Sequence, residues 1–170
     1  CTIDLNEPIS NKVSTLVFAE MRTKLNEKEL ANLNDYIERG GNILIMCEPK
    51  RIGATNDLIA QFGVKLIPGT LASTANPRIQ PDLTLCRPTP ESAKEVAYHF
   101  RSMIVYNNVA TFPSAAGLDY SEAKNMGFTV TDIFRCDSTT WNELQTTDFV
   151  EDVTKFNPET GEVQQTVPTA

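Results

Sequence analysis

The segment Cys47-Glu48-Pro49-Lys50-Arg51 places a thiol, a carboxylate and two cations close together. It follows an apolar run, residues 43–47, of the length typical of a buried strand. Open parallel sheets bind ligands beyond the carboxyl ends of their strands. Glu48, Lys50 and Arg51 are therefore candidate residues for binding a polar ligand. The alternative is a charged loop that only caps the sheet.

Trp141 is the only tryptophan and follows the hydroxyl-rich segment Ser138-Thr139-Thr140. Residues 138–143 have the composition of a helix start, and hydroxyls beside an indole favour a recognition surface. Trp141 is therefore a fourth predicted ligand-binding residue. In the alternative interpretation the indole only covers the end of the sheet.

The sequence predicts no catalytic residue. A cysteine nucleophile needs a sharp strand-to-helix turn, usually with flanking glycines, and a histidine base. Cys47 lies between Met46 and Glu48, and the one histidine, His99, falls in a predicted helix end. No G-x-S-x-G segment is present for a serine nucleophile. A flavodoxin-like hydrolase or amidotransferase that uses Cys47 stays as an alternative.

Cofactor and metal sites are also not predicted. Gly40-Gly41 precedes a strand rather than opening a helix, so it is not a phosphate-binding loop. No C-x-x-C pair indicates zinc. The carboxylates of Asp132 with Asp137, and of Glu151 with Asp152, are interpreted as solvated charges.

The remaining cysteines leave alternatives open. Cys86 and Cys136 each follow a strand-like run, and a disulfide between them is one pairing that the four cysteines allow. Sequence alone does not give the connectivity. Cys1 is interpreted either as a lipidation site or as a boundary of the chain.

Composition indicates one folded domain. The chain has 170 residues, of which 41% are hydrophobic, and carries a net charge of -7. The acidic surface disfavours nucleic acid and anionic lipid head groups. No apolar run approaches the roughly 20 residues that span a bilayer. We predict a single α/β domain over residues 1–150 and a polar C-terminal extension over residues 151–170.

The order of the predicted elements indicates an α/β fold. A strand at residues 16–19 precedes a helix with an Asn26–Glu29 capping box, which Gly40-Gly41 ends before the strand at residues 43–47. Such a βαβ unit implies a parallel sheet. Further predicted elements are a short helix ending at Gly63, a helix from Thr89-Pro90, a loop or hairpin at 69–81, and strands at 64–67, 103–106, 109–112 and 128–134. The predicted fold is a three-layer, mostly parallel sheet, flavodoxin-like or class I glutamine amidotransferase-like, with an antiparallel edge.

The order of these motifs resembles the GldG-like auxiliary component of ABC-2-type transport systems, a family named from gliding motility. The segments that carry the resemblance are residues 3–5, 13–19, 26–29, 36–45, 48–49, 62–64 and 138–143. Glu48-Pro49 stands where the family usually has aspartate-proline. Ser14-Thr15 replaces an acidic residue, and Asn142 replaces a small one.

This resemblance implies a non-catalytic, extracytoplasmic accessory domain on the periplasmic face. It would be anchored in the inner membrane by segments outside this chain. Its partners would be an ABC permease and an ATP-binding subunit, and it would act in protein–protein interaction or substrate handling. A small-ligand or saccharide-binding module is the alternative that uses residues 48–51 and Trp141.

Overall fold

The computed structural model describes residues 2–19, 21–74, 79–150, 156–158 and 161–164. Its strands are β1 (Thr15–Phe18), β2 (Asn42–Ile45), β3 (Lys65–Leu66), β4 (Thr70–Ala72), β5 (Leu83–Pro88), β6 (Ala110–Pro113), β7 (Leu118–Asp119), β8 (Phe134–Cys136) and β9 (Trp141–Glu143). Its α-helices are α1 (Glu27–Glu38), α2 (Ile52–Ile59), α3 (Pro90–Glu95) and α4 (Tyr98–Val105), with 3-10 turns at Pro49–Arg51 and Ala60–Phe62. Cys1 and most of the predicted C-terminal extension lie outside the described residues.

The predicted βαβ unit is confirmed at the start of the chain. Strands β1 and β2 are parallel, with Leu16 opposite Ile43. The Asn26 side chain accepts the backbone N–H of Glu29, and the Glu29 carboxylate accepts that of Asn26, so the predicted capping box is present. Gly40 takes the left-handed conformation, φ 89°, that ends α1.

Helix α1 packs on this pair of strands through Leu33 and Tyr36, which are almost fully buried. The Tyr36 hydroxyl donates to the carbonyl oxygen of Asn42 at 2.9 Å and ties the helix to the start of β2. Gly41 lies against the tyrosine ring, because an added Cβ would be no more than 2.6 Å from three of its atoms. Gly41 is therefore needed because it packs closely against Tyr36, whereas Gly40 supplies the left-handed backbone conformation that ends the helix.

The mostly parallel, three-layer flavodoxin-like sheet is wrong. Among the described residues the only parallel pair is β1–β2, and the other sheets are antiparallel: β3–β7, β4–β9 and the three-stranded β6-β5-β8. The strands are two to six residues long. After β2 each antiparallel pair in the described residues joins strands that are far apart in the chain; even β5 and β6 are separated by α3 and α4.

The outer face of the β1–β2 pair is half-exposed, although the apolar runs predicted strands buried on both faces. Val17 and Leu44 are opposite each other in the register, and each is 50% exposed. Leu16 on the other face is buried under α1. These two strands therefore have one covered face and one that meets solvent.

Three local predictions are also corrected. Residues 103–105 belong to helix α4 rather than to a strand, because a short apolar run fits either element. Of the predicted strand at 128–134 only Phe134 lies in β8. Residues 141–143 form strand β9, not a helix start, and pair with β4.

Candidate functional site: a cleft beyond strand β2

A cleft of about 770 Å³ opens beyond the carboxyl end of β2. Five chain segments form its walls: residues 47–50 after β2, residues 69–70 at β4, Gln80 and Asp82 before β5, residues 112–115 at the end of β6, and residues 143–150 from β9 onward. The segment that follows the parallel strand therefore meets the antiparallel part of the molecule here. This is the end of β2 at which the sequence predicted a ligand.

Two of the four predicted ligand-binding residues line this cleft. Glu48 and Lys50 are both exposed and contribute to its wall. Arg51 ends the neighbouring 3-10 turn and lies outside the described lining. Trp141 is only 2% exposed, so it cannot present its ring to a ligand at the surface.

Trp141 instead supports a residue of the cleft. Its indole N–H donates to Glu143 Oε2 at 3.1 Å. The other carboxylate oxygen of Glu143 accepts the backbone N–H groups of Gln145 at 2.9 Å and Thr146 at 2.8 Å. Glu143 is 3% exposed. These three donors fix the carboxylate and shape the loop that forms one wall.

A second buried carboxyl group, that of Glu162, adjoins Glu143. Burial alone raises the pKa of Glu143, but the N–H donors of Thr146, Trp141 and Gln145 and a hydrogen bond with Glu162 outweigh it. The net effect holds the pKa of Glu143 below its ordinary value. Glu162 itself accepts the backbone N–H groups of Leu144 and Asn157, and so joins the C-terminal residues to the end of β9.

The opposite wall contains a strained turn. Ser114 has φ 48°, the left-handed region that non-glycine residues rarely occupy. Its hydroxyl donates to Asp82 Oδ2 at 2.6 Å, and its backbone N–H donates to the Asp82 carbonyl oxygen at 2.9 Å. Strained backbone of this kind persists where surrounding contacts enforce it, and it concentrates at functional sites.

The cleft is negatively charged. Glu48, Asp82, Glu143 and Asp148 contribute carboxylates, and Lys50 contributes the one ammonium group among its described lining residues. The rings of Phe112 and Phe149 supply apolar surface beside these charges. Such a cleft attracts a cation and offers its apolar stem a place to pack.

The alternative in which Cys47 is a nucleophile gains no support from its surroundings. Cys47 lines the cleft, but it is half-buried and burial raises the pKa of its thiol. A raised pKa lowers the thiolate fraction, and the thiolate is the nucleophile. None of the described lining residues is a histidine, and His99 lies on α4.

Two other possible roles are metal ligation and membrane insertion. Asp132, one of the carboxylates weighed as a ligand, accepts from Arg135 Nε at 2.6 Å and from the Tyr120 hydroxyl at 2.9 Å. Within the part of the chain that the structure describes, no group of three or more His, Cys, Asp or Glu residues is placed to hold a metal ion. No helix among those same residues has the length and apolar character needed to cross a bilayer.

No protein-family model and no curated protein matches the chain. Among solved structures, the chain is similar to the mmIFT52 N-terminal domain, with a TM-score of 0.57 and 15% sequence identity. The match covers 82% of this chain and 62% of that one, so this chain spans less than two thirds of the length of the solved structure. At this identity the likeness concerns the fold alone.

This comparison corrects the interpretation drawn from the family resemblance. The flavodoxin-like description is wrong, because the fold is similar to that of the mmIFT52 N-terminal domain instead, and this comparison gives no support to the link with ABC transporters and gliding motility. The permease and ATP-binding partners and the extracytoplasmic location were implied by the resemblance, and they stay predictions.

Sequence reasoning missed Asp82 and Ser114, and it included Glu143 only as the last residue of the hydroxyl-rich segment 138–143, without a role of its own. Asp82 and Ser114 meet only because β5 and β6 pair, and Glu143 reaches the cleft only because β9 pairs with β4. One local signal for Glu143 was available in the sequence. Asn142 and Glu143 are polar residues directly after the large apolar Trp141, and the segment lacks the periodicity of a helix.

Proposed function

We propose that the chain is a non-catalytic binding domain whose cleft receives a positively charged side chain, lysine or arginine, from a partner protein. The observation that carries this proposal is the charge of the cleft: among its described lining residues, four carboxylates and one lysine border a volume of about 770 Å³. Opposite charges steer a partner to such a site and select it against acidic competitors.

The shape of the cleft supports the same assignment. The long apolar stems of lysine and arginine bury against aromatic surface while the charged head stays near carboxylates. Phe112 and Phe149 provide that surface here. Glu143 is already satisfied by its own N–H donors, so Glu48 is the carboxylate best placed to respond to a ligand.

Fluorescence anisotropy with two labelled peptides tests the proposal. One peptide alternates lysine and serine, and the other carries glutamate in place of lysine. We expect the lysine peptide to bind and the glutamate peptide not to bind. Glu48→Gln should weaken binding by about fivefold, close to 1 kcal/mol, whereas Lys50→Gln should strengthen it because a repulsive charge is removed.

Glu38→Gln is the matched control, since Glu38 is exposed at the end of α1, outside the described lining of the cleft, and the change in net charge is the same. Equal weakening by Glu38→Gln and Glu48→Gln would show that the peptide responds to net charge and not to the cleft. A neutral oligosaccharide that raises the melting temperature, with no binding of the lysine peptide, would favour the saccharide alternative instead.

A further inference from the structure

Two buried cysteines face each other across the three-stranded sheet. Cys86 on β5 and Cys136 on β8 are direct partners in the antiparallel register. Their exposed fractions are 0% and 2%, and both belong to the hydrophobic cluster around Leu71. Direct partners point their side chains to the same face of a sheet. The side chains of Cys86 and Cys136 therefore lie next to each other on the same buried face of the sheet.

The hydrogen-bond pattern decides how closely these residues approach. The backbone N–H of Thr89 donates to the carbonyl oxygen of Ile133 at 3.1 Å, which makes these two a hydrogen-bonded pair. Hydrogen-bonded and non-hydrogen-bonded pairs alternate along an antiparallel ladder. Thr89 with Ile133 and Arg87 with Arg135 are therefore hydrogen-bonded pairs, whereas Cys86 with Cys136 is a non-hydrogen-bonded pair. Pro88 has no N–H and falls on a non-hydrogen-bonded position, as this count requires.

The other neighbour of β5 gives the same answer independently. The backbone N–H of Ser114 donates to the carbonyl oxygen of Asp82, which makes these two a hydrogen-bonded pair between β6 and β5. Hydrogen-bonded pairs recur at every second residue, so Cys86 and Ala110 also form one. Cys86 therefore directs its N–H and C=O groups toward Ala110 on β6, away from β8.

Cysteines at a non-hydrogen-bonded pair meet the spacing that a disulfide needs. Such pairs have Cα atoms about 4.5 Å apart, and disulfides join Cα atoms about 4.4–6.8 Å apart. We propose that Cys86 and Cys136 are the site of a cross-strand disulfide that fastens β8 to β5. It would close a loop of about 50 residues that contains α3, α4, β6 and β7.

The bond forms by thiol–disulfide exchange with a low-molecular-weight disulfide. One cysteine thiolate attacks a sulfur of the oxidant, and the S–S bond of the oxidant breaks to release one thiol. The second cysteine thiolate then displaces the other half from the mixed disulfide. The two cysteines lose two protons and two electrons, and the oxidant gains them as two thiols. Because both side chains are buried, exchange takes place while the chain folds or opens, and the finished bond is shielded from reductant.

The test uses the whole chain, unfolded and then refolded in a mixture of oxidised and reduced glutathione or in a phosphine reductant. Remaining thiols are blocked with N-ethylmaleimide in denaturant, and the unreduced protein is digested and mapped by mass spectrometry. We expect one linked pair of peptides, containing Cys86 and Cys136, with Cys47 alkylated. The oxidised protein should melt about 5 to 15 °C above the reduced protein.

Cys47→Ser is the matched control and should keep both the linked peptides and the redox-dependent melting temperature. Cys86→Ser should lose both. Alkylation of Cys86 and Cys136 in the oxidised wild type would overturn the proposal, and so would linkage of either one to Cys47. The peptide map of the wild type gives this answer even if Cys86→Ser does not fold.

Discussion

Replacing Glu143 with alanine removes the carboxylate that accepts hydrogen bonds from three N–H groups. These donors are the Trp141 indole and the backbone N–H groups of Gln145 and Thr146, whose nitrogen atoms lie 3.1, 2.9 and 2.8 Å from the carboxylate oxygens. Each buried donor left without an acceptor costs about 1–3 kcal/mol. Water from the adjoining cleft replaces part of this loss, so we expect Glu143→Ala to lower the free energy of unfolding by about 2–4 kcal/mol.

Urea unfolding followed by tryptophan fluorescence measures this loss, because Trp141 is the only tryptophan and contacts the substituted position. The same loss lowers the melting temperature by about 5–15 °C in a domain of this size. Glu143→Gln keeps one oxygen acceptor and should fall between wild type and alanine. A Glu143→Ala protein within about 0.5 kcal/mol of wild type would refute the assignment of Glu143 as a structural acceptor.

The pH dependence of this difference has a definite sign. The pKa of Glu143 is lowered in the folded protein, so its carboxylate stabilises the fold fully above the ordinary glutamate pKa of about 4.3. That contribution is lost as the pH falls through the lowered value. The gap in stability between wild type and Glu143→Gln should therefore shrink from pH 7 toward about pH 3. A gap that widens toward acid would contradict the cause assigned to the shift.

Two further predictions concern a glycine pair and a thiol. Gly41→Ala places a methyl group against the buried Tyr36 ring and should lower the free energy of unfolding by about 2–3 kcal/mol. The methyl group of Gly40→Ala would meet no atom within 4 Å, so this change should lower it by only about 1 kcal/mol, because of the positive φ. Equal losses in urea unfolding would argue against the close approach. Cys47 should react with iodoacetamide at pH 7 more slowly than glutathione, because burial raises the pKa of its thiol, and a faster rate would reopen its role as a nucleophile.

The sequence predicts the elements that local signals define. The capping box at Asn26, the glycine after α1, the start of α3 at Pro90 and the parallel β1–β2 pair all depend on residues close together in the chain. Each of these features is set by residues within one or two helical turns of one another, or by two strands joined by one helix. Such residues can be recognised together in the sequence of the chain.

The sequence does not predict the antiparallel pairing that builds most of the cleft. Short apolar runs fit helix or strand equally well, and for this reason the sequence predicts a strand where the end of α4 lies. Glu48 and Lys50 line the cleft because they follow β2 directly, which is a position that the sequence does predict. Asp82, Ser114 and Glu143 reach the cleft only when distant strands pair, and the local signal at Asn142-Glu143 does not specify which strand β9 joins.

The pairing of β4 with β9 also determines when the cleft can exist. Leu71 is opposite Asn142, so about 70 residues of chain must be closed into a loop before this pair forms, and closing a long loop costs entropy in advance of any contact it gains. The β1–β2 pair spans a much shorter segment. We therefore expect the βαβ unit to form before the walls of the cleft during folding. In a partly folded chain β2 would then form before the site beyond it.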